Sequence, residues 1–269
     1  MTAGMPSRQR RPAVAVVVVA TVTVGFLALP LVGLLTKAPW GSLVSDLSSP
    51  VASDALRLSL VCSAWATGLS VVLGLPLAWV LARVEFPGRN LVRALTILPM
   101  VLPPVVGGVA LLLAFGRDGV LGRPLFNWFG IQFTFSTAGV VLAETFVAMP
   151  FLIVTVEAAL RSMDGRYEEA ASSLGAGRWT VFRRVTLPLI SSSLIAGAAL
   201  TWARALGEFG ATITFAGDIQ GRTQTLPLAV YLALEGNEPV AVALSLALLA
   251  VSVVVLVALR GRWLGAIAP

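Results

Sequence analysis

Long apolar runs alternate with short polar, arginine-rich segments along the chain, and the run lengths set the first expectation. Four uncharged runs, at 13–35, 58–82, 94–115 and 239–259, are each long enough to cross a membrane, because about 20 residues of α-helix span the hydrocarbon. Two further runs, at about 136–160 and 187–215, are as apolar but contain charged residues. In lipid the backbone must satisfy its own hydrogen bonds, so runs of this length read as helices. The pattern predicts an all-α polytopic membrane protein with six transmembrane helices. The first run follows Arg8, Arg10 and Arg11, as a secretory signal would, but it exceeds the roughly 7–15 apolar residues of such a core. It is expected to be a retained helix, peripheral to the rest.

Charge then orients the helices. With the N-terminus inside, thirteen of the nineteen Lys and Arg residues fall in the internal segments: the N-terminal tail, 83–93, 161–184 and the C-terminal end. Basic residues collect on the cytoplasmic side. Both termini are therefore expected in the cytoplasm, in a multi-pass protein of the cytoplasmic (inner) membrane. The longest internal loop lies between the fourth and fifth runs.

Composition excludes more than it assigns. Of 269 residues 57% are hydrophobic and 12% are charged, against roughly 25% charged in soluble domains. The chain has no His, and Cys62 and Lys37 are its only cysteine and lysine. This removes a disulfide within the chain, a His/Cys zinc site and a Ser-His or Cys-His pair. Lys37 follows "LVGLLT", so no phosphate-cradling Gly-Lys-Ser/Thr loop is present. Any ATP and magnesium must sit on a partner, and no catalysis is expected in this chain. The net charge of +6 reads as topology signal; no basic run interleaved with aromatics suggests nucleic acid.

Several residues break the rules of a lipid-facing helix. The third run carries Pro99, Pro103, Pro104, Gly107 and Gly108. Each proline removes a helix hydrogen bond, and glycines allow close backbone approach, so this run is either structurally kinked or lines a pathway. The fifth carries Thr201, Arg204, Glu208 and Thr212. Arg204 and Glu208 are expected on one helical face as a mutual ion pair, with a gate as the sharper alternative. Glu144 is expected to pair with a neighbouring helix, and Glu157 to reach the surface. Between the last two runs, "TQTLPLAVYLALEG" predicts a short external helix, with Thr225 as cap, Pro227 in the first turn and Gly236 as stop.

The segment "EEAASSLGAGRWTVFRRVTLPLI" at 168–190 is polar and basic between two spans. Asp164 is expected to cap a helix that Gly175 ends, with Glu168 and Glu169 in its early turns. Ala170 and Ala171 bury little by themselves but fit a partner's groove. Trp179, Phe182 and Val185 then recur at helical spacing among Arg178, Arg183 and Arg184, predicting an interfacial helix. Pro188 is expected to begin the next span.

Glu169-Ala170-Ala171, Gly175, then Val185, Leu187 and Pro188 resemble in identity and spacing the EAA loop of ABC importer permeases; Val185 stands where Ile is usual. "LPMVLPPVVGGVALLLAFGRDG", "ARALGEFGATITFAG" and "RTQTLPLAVY" are similar to molybdate permeases, related to those for sulfate/thiosulfate and tungstate. The resemblance covers about residues 50–262. It implies the type I importer transmembrane domain at 54–260, with the coupling loop at 161–188. Residues 1–53 would be a tail, first helix and external loop, and 261–269 a C-terminal tail. It further implies docking to cytoplasmic ABC ATPase subunits, a second permease copy and an extracytoplasmic oxyanion-binding protein. Pro103, Pro104, Gly107, Thr201, Arg204, Glu208 and Thr212 are the pathway or gate candidates. The competing class is an ATP-independent secondary transporter with Arg204, Glu208 and Glu144 as an ion relay.

Overall fold

The computed structural model describes residues 14–264. The tail bearing Arg8, Arg10 and Arg11 lies outside the described residues, as do residues 265–269 of the C-terminal tail. Every regular element among the described residues is helical.

The centre is a pair of long helices, α3 (Pro50–Arg83) and α7 (Thr137–Ser162). The buried face of α3 is Ala52, Ala55, Ser59, Cys62, Ser63, Ala66, Ser70, Gly74, Ala78 and Leu81, a near-continuous stripe of small side chains at three- and four-residue spacing. Lipid offers helices little hydrophobic drive to associate, so close van der Waals packing across small residues does that work. Toward the C-terminal end of both helices Ala78 and Leu81 meet Leu152, Ile153, Val156 and Leu160. The prediction at 58–82 misses the first turns of α3, which begin where Ser49 caps Ala52 and Pro50 fills the first helical position.

By contrast α1 (Val14–Thr36) has no buried residue. It lies beside α14 (Glu238–Leu264) as the peripheral helix expected. Short helices α2 (Leu43–Leu47) and α6 (Gly122–Phe129) occupy loops between spans. The helix expected from "TQTLPLAVYLALEG" is α13 (Leu226–Gly236), packed on α3 and α14 through Leu226, Ala229 and Leu244. Thr225 precedes it without making a side-chain cap.

Two predicted spans are not single helices. The third is α4 (Arg89–Val101) and α5 (Pro104–Phe115), bent by 119°. Leu102 precedes Pro103 and is extended, as the proline ring demands, and neither proline has an amide to donate. The chain nevertheless joins the two ends of α7: Arg93 on α4 reaches Glu157, and Phe115 meets Phe133 just before α7 begins. The fifth is broken twice. A helix over Arg178–Leu189, made of α9 (Arg178–Val181), a π-helical turn (Phe182–Thr186) and α10 (Leu187–Leu189), meets α11 (Ser191–Leu206) at 71°. Pro188 therefore sits in the last turn before the break instead of opening the span. A second break at Gly207–Phe209 separates α11 from α12 (Gly210–Ala216).

Candidate functional site

The EAA segment forms a compact module at the end of the bundle where α3 and α7 finish. Helix α8 (Arg166–Ser173) has Gly165 at its N-cap, and Asp164, one residue earlier than expected of a cap, accepts the Arg166 amide at 3.0 Å. At the far end Gly175 has φ +85°, the left-handed region where L side chains are strained. The Ala176 amide returns to the Ala171 carbonyl and that of Gly175 to Ser172. Both bonds together are the Schellman arrangement, so the stop read at Gly175 holds.

Glu168 ties α8 down. One oxygen accepts the Thr186 hydroxyl at 2.6 Å from the π-helical turn, and the other faces Arg83 Nη2 at 3.1 Å at the end of α3. The next residue, Glu169, is exposed, as are Ala170 and Gly175, and Ala171 is half-buried. The module thus turns its small-residue surface outward while Glu168 binds it to the membrane helices. Val185 and Leu187 are half-buried and Pro188 is exposed. Sequence reasoning placed Glu168 only in the helix dipole and missed this anchor, whose partners lie far away along the chain.

Beside it is a second network. Glu157 does not reach the surface: it is 7% exposed, and Oε1 receives Arg93 Nη2 at 2.7 Å and Arg161 Nε at 3.0 Å. Arg89 Nε donates to the Leu81 carbonyl at 2.9 Å. Three arginines and one acid thus close the C-terminal end of α3, where the helix dipole favours cations.

Farther into the bundle the two broken spans meet. Gly210 opens α12 against Pro104, where an added Cβ would lie 2.8 Å from the proline Cβ. Gly108 faces Ala211 and Thr214 so closely that a Cβ would stand 2.7 Å from Thr214. Glycine is required for α5 and α12 to pack at this distance. Gly107 is buried against Phe146, whereas Pro103 and Pro104 are exposed at the bend. Arg204 and Glu208 do pair, at 2.5 Å, but not along one helix: Glu208 lies in the break after α11. Its other oxygen accepts the Ala211 amide at 2.8 Å and so caps α12. Thr201 and Thr212 are fully buried, and their hydroxyls have no partner among the described residues. Glu144, 1% exposed, departs from expectation: it makes no ion pair among the described residues, and Oε2 has no hydrogen-bond partner. The interior thus holds one satisfied charge pair and three polar groups with free capacity, bordered by the bends.

The family model described as "Binding-protein-dependent transport system inner membrane component" matches residues 70–265. Over 237 residues, 88% of the chain and 89% of the relative, the sequence is 47% identical to the molybdenum transport system permease protein ModB of Mycobacterium tuberculosis (strain ATCC 25618 / H37Rv). It is 38% identical over 234 residues to the sulfate transport system permease protein CysT of Escherichia coli (strain K12), covering 86% of the chain and 84% of the relative. Among solved structures, a bacterial alginate ABC transporter in complex with an alginate pentasaccharide-bound periplasmic protein superposes with a TM-score of 0.71 at 21% identity, covering 93% of this chain and 92% of that one. The fold is that of the type I importer transmembrane domain.

Proposed function

Because the chain belongs to the family of binding-protein-dependent transport system inner membrane components, the permeases of ABC importers, we propose that it imports molybdate by alternating access, driven by a separate ATPase docked on α8. Two copies would enclose the path on a two-fold axis, with the bends of α4–α5 and α11–α12 at its border. The observation that carries this reading is the construction of the α8 module: Glu168 links it to α3 and to the turn leading into α11, while Glu169, Ala170 and Gly175 face outward. A displacement applied to α8 has a direct mechanical route to both. The arginines around it support a cytoplasmic placement of this end, and ATP with magnesium would stay on the partner.

Molybdate is favoured by 47% identity to a molybdenum permease against 38% to a sulfate permease. The second of these keeps sulfate or thiosulfate, with tungstate, as the alternative substrate of the same class. An extracytoplasmic oxyanion-binding protein would supply substrate to the loops around 217–238; the alginate transporter solved with its periplasmic protein supports that kind of partner. A ligand shifts a two-state carrier only by its difference in affinity between the states. The described spans hold no dense cluster of cations, which suits weak binding in the path and recognition by the delivering protein.

The test is labelled molybdate uptake in cells lacking the gene, with and without its return, in the presence of excess sulfate or tungstate. Uptake that returns with the gene, resists sulfate and is lost in Gly175→Val is the expected result. Gene-dependent uptake of sulfate alone moves the substrate. Uptake indifferent to Gly175→Val defeats coupling through α8 and favours an ATP-independent carrier.

A further inference from the structure

Between the last turns of α3 and the helix over Arg178–Leu189 lie two adjoining hollows of about 430 and 450 Å³ that share Trp79, Arg178 and Phe182 as a common wall. The first sets the polar groups of Arg83, Glu168, Arg178 and Thr186 among apolar walls that include Val84 and Val181. The second is apolar, formed by Pro76, Trp79, Val80 and Trp179, with Trp179 stacked on Phe182 at 5.7 Å between ring centres.

Charge in the first hollow is unbalanced. Its one acid, Glu168, is matched by Arg83. Arg178 has no acidic partner among the described residues, nor have Arg183 and Arg184 beyond it. Arg83 Nε is buried and donates to nothing, an arrangement that normally costs free energy. Both observations ask for an anion with acceptor oxygens. The neighbouring apolar hollow asks for hydrocarbon in the same ligand.

We infer that the paired hollow binds one anionic phospholipid, its phosphodiester at Arg178 beside the partly exposed Arg83 guanidinium and an acyl chain along Trp79, Val80 and Trp179. The position fits this ligand: α3 ends its span here, and exposed tryptophans mark the boundary between hydrocarbon and headgroups. Guanidinium–phosphate hydrogen bonds are charge-assisted and strong, and basic pockets between transmembrane helices capture anionic headgroups. A free phosphate would leave the apolar side unused, and a zwitterionic lipid would bring its cation to a surface already rich in arginine. The bound headgroup would brace the joint that Glu168 makes between α8 and α3. The binding does not rest on the proposed function; that reading would add only that the lipid lies in the cytoplasmic leaflet.

The full chain, purified in detergent and delipidated, is titrated with phosphatidylglycerol or phosphatidylcholine, and retained lipid is counted by native mass spectrometry. One phosphatidylglycerol is expected to remain at concentrations where phosphatidylcholine does not. Arg178→Gln lowers its occupancy about fivefold, the effect of one arginine near an anionic headgroup, whereas Arg123→Gln, beyond the opposite end of the bundle, does not. Trp179→Ala, which leaves every charge in place, weakens retention as well, and glycerol 3-phosphate does not compete. Equal retention of the two lipids, equal behaviour of Arg178→Gln and Arg123→Gln, full retention in Trp179→Ala, or competition by glycerol 3-phosphate overturns the proposal. Molybdate uptake is read separately: its absence with lipid selectivity intact would defeat the transport reading alone.

Discussion

Glu157 and Glu144 are two acids on the same helix, both buried, and the protein surrounds them in opposite ways. Glu157 receives Arg93 and Arg161 and stands beside the arginine-covered end of α3. Glu144, several turns away, makes no ion pair among the described residues and leaves an oxygen without a donor. One turn farther along α7, Ala148 packs with Ala66 of α3 and Ala205 of α11, small side chains with no group to pair with Glu144. The difference separates a scaffold from a working interior. At the α8 end the buried acid is bound in a network whose parts hold one another; in the middle, polar groups sit beside helix breaks with capacity to spare. A path that must open and close needs the second kind of region and the first kind to hold it.

The largest effect expected is therefore at Glu157. Glu157→Ala removes the buried carboxylate that Arg93 and Arg161 share; both arginines are partly solvated, so the cost falls at the lower end for a broken buried pair, about 3 kcal/mol. Thermal unfolding of the purified protein in detergent should show a large drop in Tm. A drop no larger than that of an exposed substitution would remove the distinction between the two acids.

Arg204→Ala comes next, and it tests whether the interior pair resembles the scaffold. It leaves Glu208 buried at 1% exposure, but that carboxylate keeps the Ala211 amide, and Arg204 itself is partly solvated. The expected loss is about 1–3 kcal/mol, and adding Glu208→Gln should recover part of it. Full additivity of the two substitutions in a double-mutant cycle would mean the pair is not coupled.

Gly175→Ala is smaller again. A β-carbon at φ +85° has open space around it, so the cost is the left-handed backbone alone, about 1–2 kcal/mol. The loss should be confined to α8: hydrogen exchange should rise in 166–176 while the amides of α7 keep their protection. Exchange rising across both would show that the module is not separable from the bundle.

These regions were unequally legible in the sequence. Helix lengths and the Gly175 stop follow from local chemistry, because about 20 apolar residues and one left-handed glycine are conditions a single segment fulfils by itself. Pro103 and Pro104 announced that amides were missing in the third span, but not a bend of 119°. The direction of a bend depends on what fills the gap, and that is the approach of α5 to α12 at Gly108 and Gly210. The Glu208 cap of α12 was hidden because a break inside an apolar run resembles continuous helix. Least legible were Arg93–Glu157 and Arg83–Glu168, whose partners meet only once α3, α4, α7 and α8 have converged on one end. No spacing rule reaches so far along a chain, and the helical rule that did connect Arg204 with Glu208 was right about the pair and wrong about the helix.

Glu144 carries the smallest expected change and the sharpest contrast. An amide has nearly the shape of a carboxyl, so Glu144→Gln leaves the packing of α7 against α3 intact. It also deletes no hydrogen bond that the structure shows to Oε2. Since the cost of a polar substitution lies mainly in partners left unsatisfied, Tm should move by no more than about 1 kcal/mol of equivalent stability. The same exchange at Glu157 removes the charge that two arginines share, and should cost clearly more. If Glu144→Gln is as damaging as Glu157→Gln, the interior acid has a structural duty equal to the scaffold acid. If it leaves stability alone and lowers uptake, its free oxygen serves the moving part of the protein.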